Sequence, residues 1–154
     1  MDGLRLTRLR IAAIIAFTVL AGCAAPSRVD GDPTKERWYP EAVQQLAAIN
    51  RQAEALFEKG ESDKAAALIQ QGQSLQSRLL AAPRPTLEAA EAASDLDDLY
   101  GRMLLSNRHY GWARLFFQKN VARWKHWNPQ TAETKKRLDQ ANAEIAECDR
   151  HIGE

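Results

Sequence analysis

Cysteine is nearly absent from this chain. Only Cys23 and Cys148 occur, with no CxxC pair and no Cys/His pattern at metal-ligand spacing, which argues against a disulfide-stapled scaffold and against a zinc module. Glycine-rich phosphate loops are missing, as are GxSxG, HExxH and SxxK strings, so no familiar hydrolase or nucleotide-binding signature is present. His109, His126 and His151 lack metal-ligand spacing and read as solvated or hydrogen-bonded side chains. Excess charge of either sign is missing too: 21 Lys+Arg stand against 20 Asp+Glu. That balance excludes nucleic-acid binding driven by bulk charge, and it excludes an acidic disordered chain. Hairpin signals are absent, and no apolar run reaches the ~20 residues that span a bilayer. These absences point away from an enzyme and from a bound cofactor or metal.

What is present begins at the N-terminus. Arg5, Arg8 and Arg10 face one acid, Asp2, and are followed by the apolar stretch Ile11 to Leu20 and then by small residues. A basic region, a short apolar region and a small-residue cut site predict a secretory signal peptide over residues 1–22. An uncleaved anchor helix would need a longer apolar run.

The string Leu20-Ala21-Gly22-Cys23, set behind those flanks, resembles the lipobox of bacterial lipoproteins. The resemblance implies acylation of Cys23 and cleavage just before it. A single acyl chain, at about 0.8 kcal/mol per buried methylene, anchors a protein only marginally, whereas two or more do so stably. Ala24 and Ala25, rather than an aspartate, follow the cysteine. By the same resemblance this implies the outer membrane, facing the periplasm. Loss of residues 1–22 would remove three arginines and one aspartate, leaving 18 basic and 19 acidic residues.

Residues 23–37 are rich in proline, glycine and mixed charge and are expected to form a disordered tether. Extended, it would reach about 50 Å. With Cys23 acylated, Cys148 has no partner in its own chain. Its place in an apolar stripe marks it as core.

Residues 38–154 predict an all-α domain of about five helices in antiparallel hairpins. Leu46, Ile49, Ala53 and Leu56 stripe the first helix from Pro40, which Gly60 ends. Ser62 caps a second, striped by Ala65, Leu68, Gly72, Leu75 and Leu79. After Pro83-Arg84-Pro85, Thr86 caps a third, with Ala89, Ala92, Leu96, Leu99 and Met103 inward, and Ser106-Asn107 ends it. Ala113, Phe117, Val121 and Trp124 share a face of the fourth. Asn128-Pro129 then reads as the cap and first residue of a fifth, striped by Leu138, Ala141, Ile145, Cys148 and Ile152.

Two segments, Ala55–Ile69 and Tyr100–Phe117, resemble tetratricopeptide hairpins. Ala53, Gly60, Ala65 and Ile69 stand at the small, turn-glycine, small and large positions, with Gly101, Tyr110, Ala113 and Phe117 at corresponding ones. The resemblance implies close packing of Gly101 against Ala113 and a protein-binding scaffold. The spacing departs from the family's regular period, and two units are fewer than a stable stack usually needs. A five-helix bundle buries the same stripes.

The segment from Arg102 to Trp127 contains six basic residues, no acid, and six of the ten aromatics beyond the signal region. One stripe cannot bury every ring, so some are expected at the surface, where Trp and Arg anchor interfaces. The candidate partner-binding residues are Arg108, Trp112, Lys119, Arg123, Trp124 and Trp127. The occupant is expected to be an envelope protein; a cell-wall glycan or lipid headgroup would use the same residue types. An aromatic core with basic residues around its rim is the structural alternative. Glu88, Glu91, Asp95, Asp97 and Asp98, with no base between Arg84 and Arg102, could pair with Arg108, Arg114 or Arg123. Asp95 and Asp98 alone fall short of the six or more oxygens calcium requires.

The anchor has a direct check. A Cys23→Ala precursor should take up no radiolabelled palmitate and should leave the membrane fraction; labelling that persists would refute the lipobox.

Overall fold

The structure is a computed structural model, and it describes residues 31–153. Cys23, the signal region and most of the expected tether lie outside the described residues. Within the tether's last residues, Pro33–Lys35 form a 3-10 turn, with the Asp32 carboxylate accepting from the Thr34 amide at 3.1 Å. Five helices follow: α1 (Trp38–Glu58), α2 (Ser62–Leu80), α3 (Leu87–Ser106), α4 (Tyr110–Lys125) and α5 (Ala132–Ile152). The described residues contain no strand, and none of their helices is long and apolar enough to cross a membrane. The all-α expectation holds, with five helices.

Local chemistry explains most boundaries. Gly60 ends α1 at φ +77°, where a side chain would be strained. Thr86 caps α3 by accepting from the Ala89 amide, and Asn107 closes it. Pro40 falls in the first turn of α1, where its missing N–H costs nothing. Two caps differ from expectation. Ser62 is the first residue of α2 and Glu61 precedes it without a side-chain cap. Helix α5 starts past Pro129: Thr131 and Thr134 form a reciprocal capping box, satisfying two orphan amides. Gln130, in turn, donates to the carbonyls of Trp124 and Trp127, closing the end of α4.

Consecutive helices pack against one another, and α1 also packs on α3. Helix α3 is in turn joined to α5 through Arg137–Asp95 at 2.6 Å and Gln140–Asp98 at 3.2 Å. Helices α1, α3 and α5 therefore stand side by side, with α2 and α4 behind them. The main core gathers Tyr39, Leu46, Ala53, Ala65, Ile69, Leu79, Leu96, Leu99 and Met103. A smaller cluster joins Ala113, Phe117 and Cys148. Cys148 is fully buried, as its stripe implied, and burial pushes its thiol pKa up. Ile152, expected inward, is 54% exposed, at the last residue of α5.

Helix α3 sits at the centre and buries Ala90, Ala93, Ser94, Asp97 and Gly101 beyond its expected stripe. Its small side chains let neighbours approach closely. A Cβ on Gly101 would lie 2.5 Å from Cε1 of Phe117, so this glycine accommodates the Phe117 ring. Gly101→Ala is expected to cost about 1–3 kcal/mol by overpacking. Gly111→Ala, where an added Cβ meets nothing within 4 Å, should be neutral or gain up to ~1 kcal/mol from helix propensity. Urea denaturation of the two variants checks the contrast.

Candidate functional site

Residues Arg108 to Trp127 do not form one continuous surface. Trp124 is fully buried, and its indole N–H donates to Ser94 Oγ at 2.8 Å. A residue enclosed and satisfied in this way has no face left for a partner, which corrects its nomination as a contact residue. Arg123 is also built into the fold: its side chain is 13% exposed, it pairs with the buried Asp97 at 2.9 Å, and it donates to Asn120 Oδ1. Of the three bases expected to pair with the acids of α3, Arg123 does so, while Arg114 instead meets Asp149 of α5. Trp127 is half-buried, its ring edge-on to Trp124 at 5.9 Å.

Trp112, Lys119 and Arg108 remain outward. Trp112 is 63% exposed and Leu115 48%. Arg108 occupies the α3–α4 turn at φ +62° and is exposed. Lys119 is exposed, with its ammonium 4.1 Å from the Phe116 ring centroid and 3.8 Å from Asp97.

Trp112 and Phe116 line a groove that sequence periodicity did not reveal. Its cavity of about 540 Å³ is bounded by Gln73 of α2, Tyr100 and Leu104 of α3, His109, and the two α4 rings. Tyr100 and Phe116 meet edge-to-face at 4.6 Å. Gln73 and Tyr100 also border a second space of about 440 Å³ along α2, beside Asp63, Ala66, Ala67 and Gln70. Together they make a trough between α2 and α4, floored by α3. Its α4 wall is aromatic, and the far α2 end carries Asp63.

The opposite side of α3 is charged. Arg102 holds Glu54 through both terminal nitrogens, at 3.0 and 2.6 Å, and Asp98 through Nε at 2.9 Å. Gln140 bridges Asp98 and Glu144 at 3.2 and 3.3 Å. Burial, then the neighbouring Asp98 carboxylate, pushes the Glu144 pKa up to about 8. Burial likewise raises Glu91. Among the described residues no group of three or more His, Cys, Asp and Glu is placed to hold a metal ion.

Sequence reasoning missed Asn50, Gln76 and Asn120, buried amides whose partners lie on α3. A signal for them existed: each interrupts an apolar stripe at helical spacing, Asn50 between Leu46 and Ala53, Gln76 between Gly72 and Leu79, and Asn120 between Phe117 and Trp124. Compared with known proteins, the chain matches no family model, no curated protein and no solved structure.

Glu144 makes a pH prediction. Its folded pKa lies above the ordinary 4.5, so the native state binds its proton more tightly than the unfolded chain does. The stability it contributes is complete at acid pH and is lost as pH rises towards 8. The Glu144→Gln chain lacks this loss, so its stability relative to the parent should rise across that interval in urea titrations. An equal difference at both ends would contradict the assignment.

Proposed function

We propose that this chain is a lipoprotein, anchored through Cys23 to the outer membrane on its periplasmic side, that acts as a non-enzymatic scaffold or assembly factor. Its helical hairpins serve as a tetratricopeptide-like protein-binding domain, and the trough between α2 and α4 is the docking surface. The observation that carries this reading is Trp112, a large apolar ring 63% exposed at the edge of an aromatic-lined groove. Exposed tryptophan beside a concave apolar surface is the usual make-up of an interface anchor. With Arg123 and Trp124 taken into the fold, the contact set becomes Trp112 and Phe116, with Arg108 and Lys119 around them.

A photo-crosslinking residue at position 115, tested in intact envelopes, checks the reading. Discrete protein adducts are expected there and not from a crosslinker at exposed Lys59, and Trp112→Ala should reduce the adducts by about tenfold, as loss of a hot-spot anchor does. Adducts to glycan or lipid alone would replace the scaffold with the headgroup- or glycan-binding alternative.

A further inference from the structure

Helices α2 and α4 both pack on α3 but have no comparable packing on each other. The floor left between them is Tyr100 and Leu104 of α3, both half-buried. On the α2 wall, Asp63, Ala66, Ala67, Gln70 and Gln73 recur at helical spacing, a run that rises about 15 Å at ~1.5 Å per residue. The α4 wall is Trp112 and Phe116, one turn apart. The two spaces of about 540 and 440 Å³ are each close to the volume of one α-helical turn, which is about 420 Å³ for a cylinder ~10 Å across and ~5.4 Å high. Ala66 and Ala67 are small and exposed, so a helix can approach closely on that side while the rings supply apolar contact on the other. An added β-strand has no edge to join, since the described residues contain no strand.

Charge is unequal across the trough. Asp63, on the α2 side, is the one acid among its lining residues. Helix α4 carries no acid from Tyr110 to Lys125. The Lys119 ammonium stands over the Phe116 ring that lines the trough. Its nearest acid, Asp97, is already held by Arg123 at 2.9 Å, so two bases meet one carboxylate and positive charge remains at this rim. Arg108, next to the lining residue His109, is exposed and has no ion pair among the described residues. A second copy docking by two-fold symmetry would set this basic face against itself, which like charges oppose. The complement of the α4 side is an acidic one.

We infer that the trough takes one amphipathic α-helix of a partner protein, flanked by acids on the side that faces α4. The helix lays its i, i+3, i+4, i+7 apolar face on Tyr100, Leu104, Trp112 and Phe116, and its carboxylates run towards Arg108 and Lys119. This rests on the trough being a protein-docking surface and adds what kind of segment docks there.

The test is selection of a displayed random library of peptides, each of about 16 residues and so longer than the trough, on the full-length chain in detergent. Enriched peptides are expected to repeat apolar residues at helical spacing, with Asp or Glu beside the stripe. The best of them, synthesised, should become helical on binding by circular dichroism. It should lose about tenfold in affinity for a Trp112→Ala chain, and severalfold when salt is raised to about 0.3 M. Changing its flanking acids to lysine should weaken binding to the parent severalfold and restore it on an Arg108→Glu/Lys119→Gln chain, a reversal that a purely structural role for either base does not produce. Circular dichroism confirms that each variant is helical. The inference is overturned if no peptide is enriched, if the enriched ones are proline-rich or lack a helical period, if Trp112→Ala binds them equally, or if the charge swap restores nothing. A dimer lost with Trp112→Ala in sedimentation, or binding to phosphatidylglycerol vesicles in place of peptides, overturns it in favour of a second copy or a lipid surface. If protein adducts still form at position 115 after such a result, docking stands and the helix does not; if they are missing too, both fall.

Discussion

Three consecutive carbonyls on one turn of α3, those of Ala92, Ala93 and Ser94, accept side-chain amide hydrogens from Asn50 of α1, Gln76 of α2 and Asn120 of α4. A helical carbonyl has a second lone pair once its backbone bond is made, so these additions do not require the helix to open. Each is worth about 0.5–1.5 kcal/mol net, but their placement matters more than their sum. They fix the rotation and height of three helices against one turn of a fourth, which apolar stripes alone leave loose. The surrounding alanines are part of the same arrangement. Ala89, Ala90, Ala92 and Ala93 are all buried, and larger side chains there would hold the donors out of reach.

The charges follow the same centre. Asp95, Asp97 and Asp98 point from successive faces of α3 to Arg137, Arg123 and Arg102. Asp97 is 3% exposed; removing it would strand the largely buried Arg123 guanidinium, a loss of about 3–5 kcal/mol in comparable pairs, whereas removing Arg123 leaves Asp97 the more distant Lys119 at 3.8 Å. The basic character of α4 is thus partly structural. Arg123 is spent on α3 and Arg114 on α5, which leaves less of the segment facing outward than its composition suggests.

Helix type, number and the ends at Gly60, Thr86 and Asn107 were legible because each depends on residues close in sequence. The start of α5 was not, since two threonines capping each other at Thr131 and Thr134 compete locally with the more conspicuous Asn128-Pro129. Periodicity placed Trp124 on the buried face beside Ala113 and Phe117, which the structure bears out; its aromatic character is what suggested a contact role. The outward Trp112 was legible from the same helical wheel. The trough was not, because it forms between helices whose residues lie far apart in the chain. The three amides read as mere gaps in apolar stripes until their distant carbonyl partners were known.

The first turn of α1 is fastened to the last turn of α2. Tyr39 donates its hydroxyl to the Leu79 carbonyl at 3.2 Å, and the Arg78 guanidinium lies 4.0 Å from the Trp38 ring centroid. Tension applied to the chain ahead of residue 38 therefore enters at a clasped end. That end must give first: α1 does not unwind from its start until the Tyr39 clasp is broken. The start of α1 is thus a fastened end rather than a frayed one.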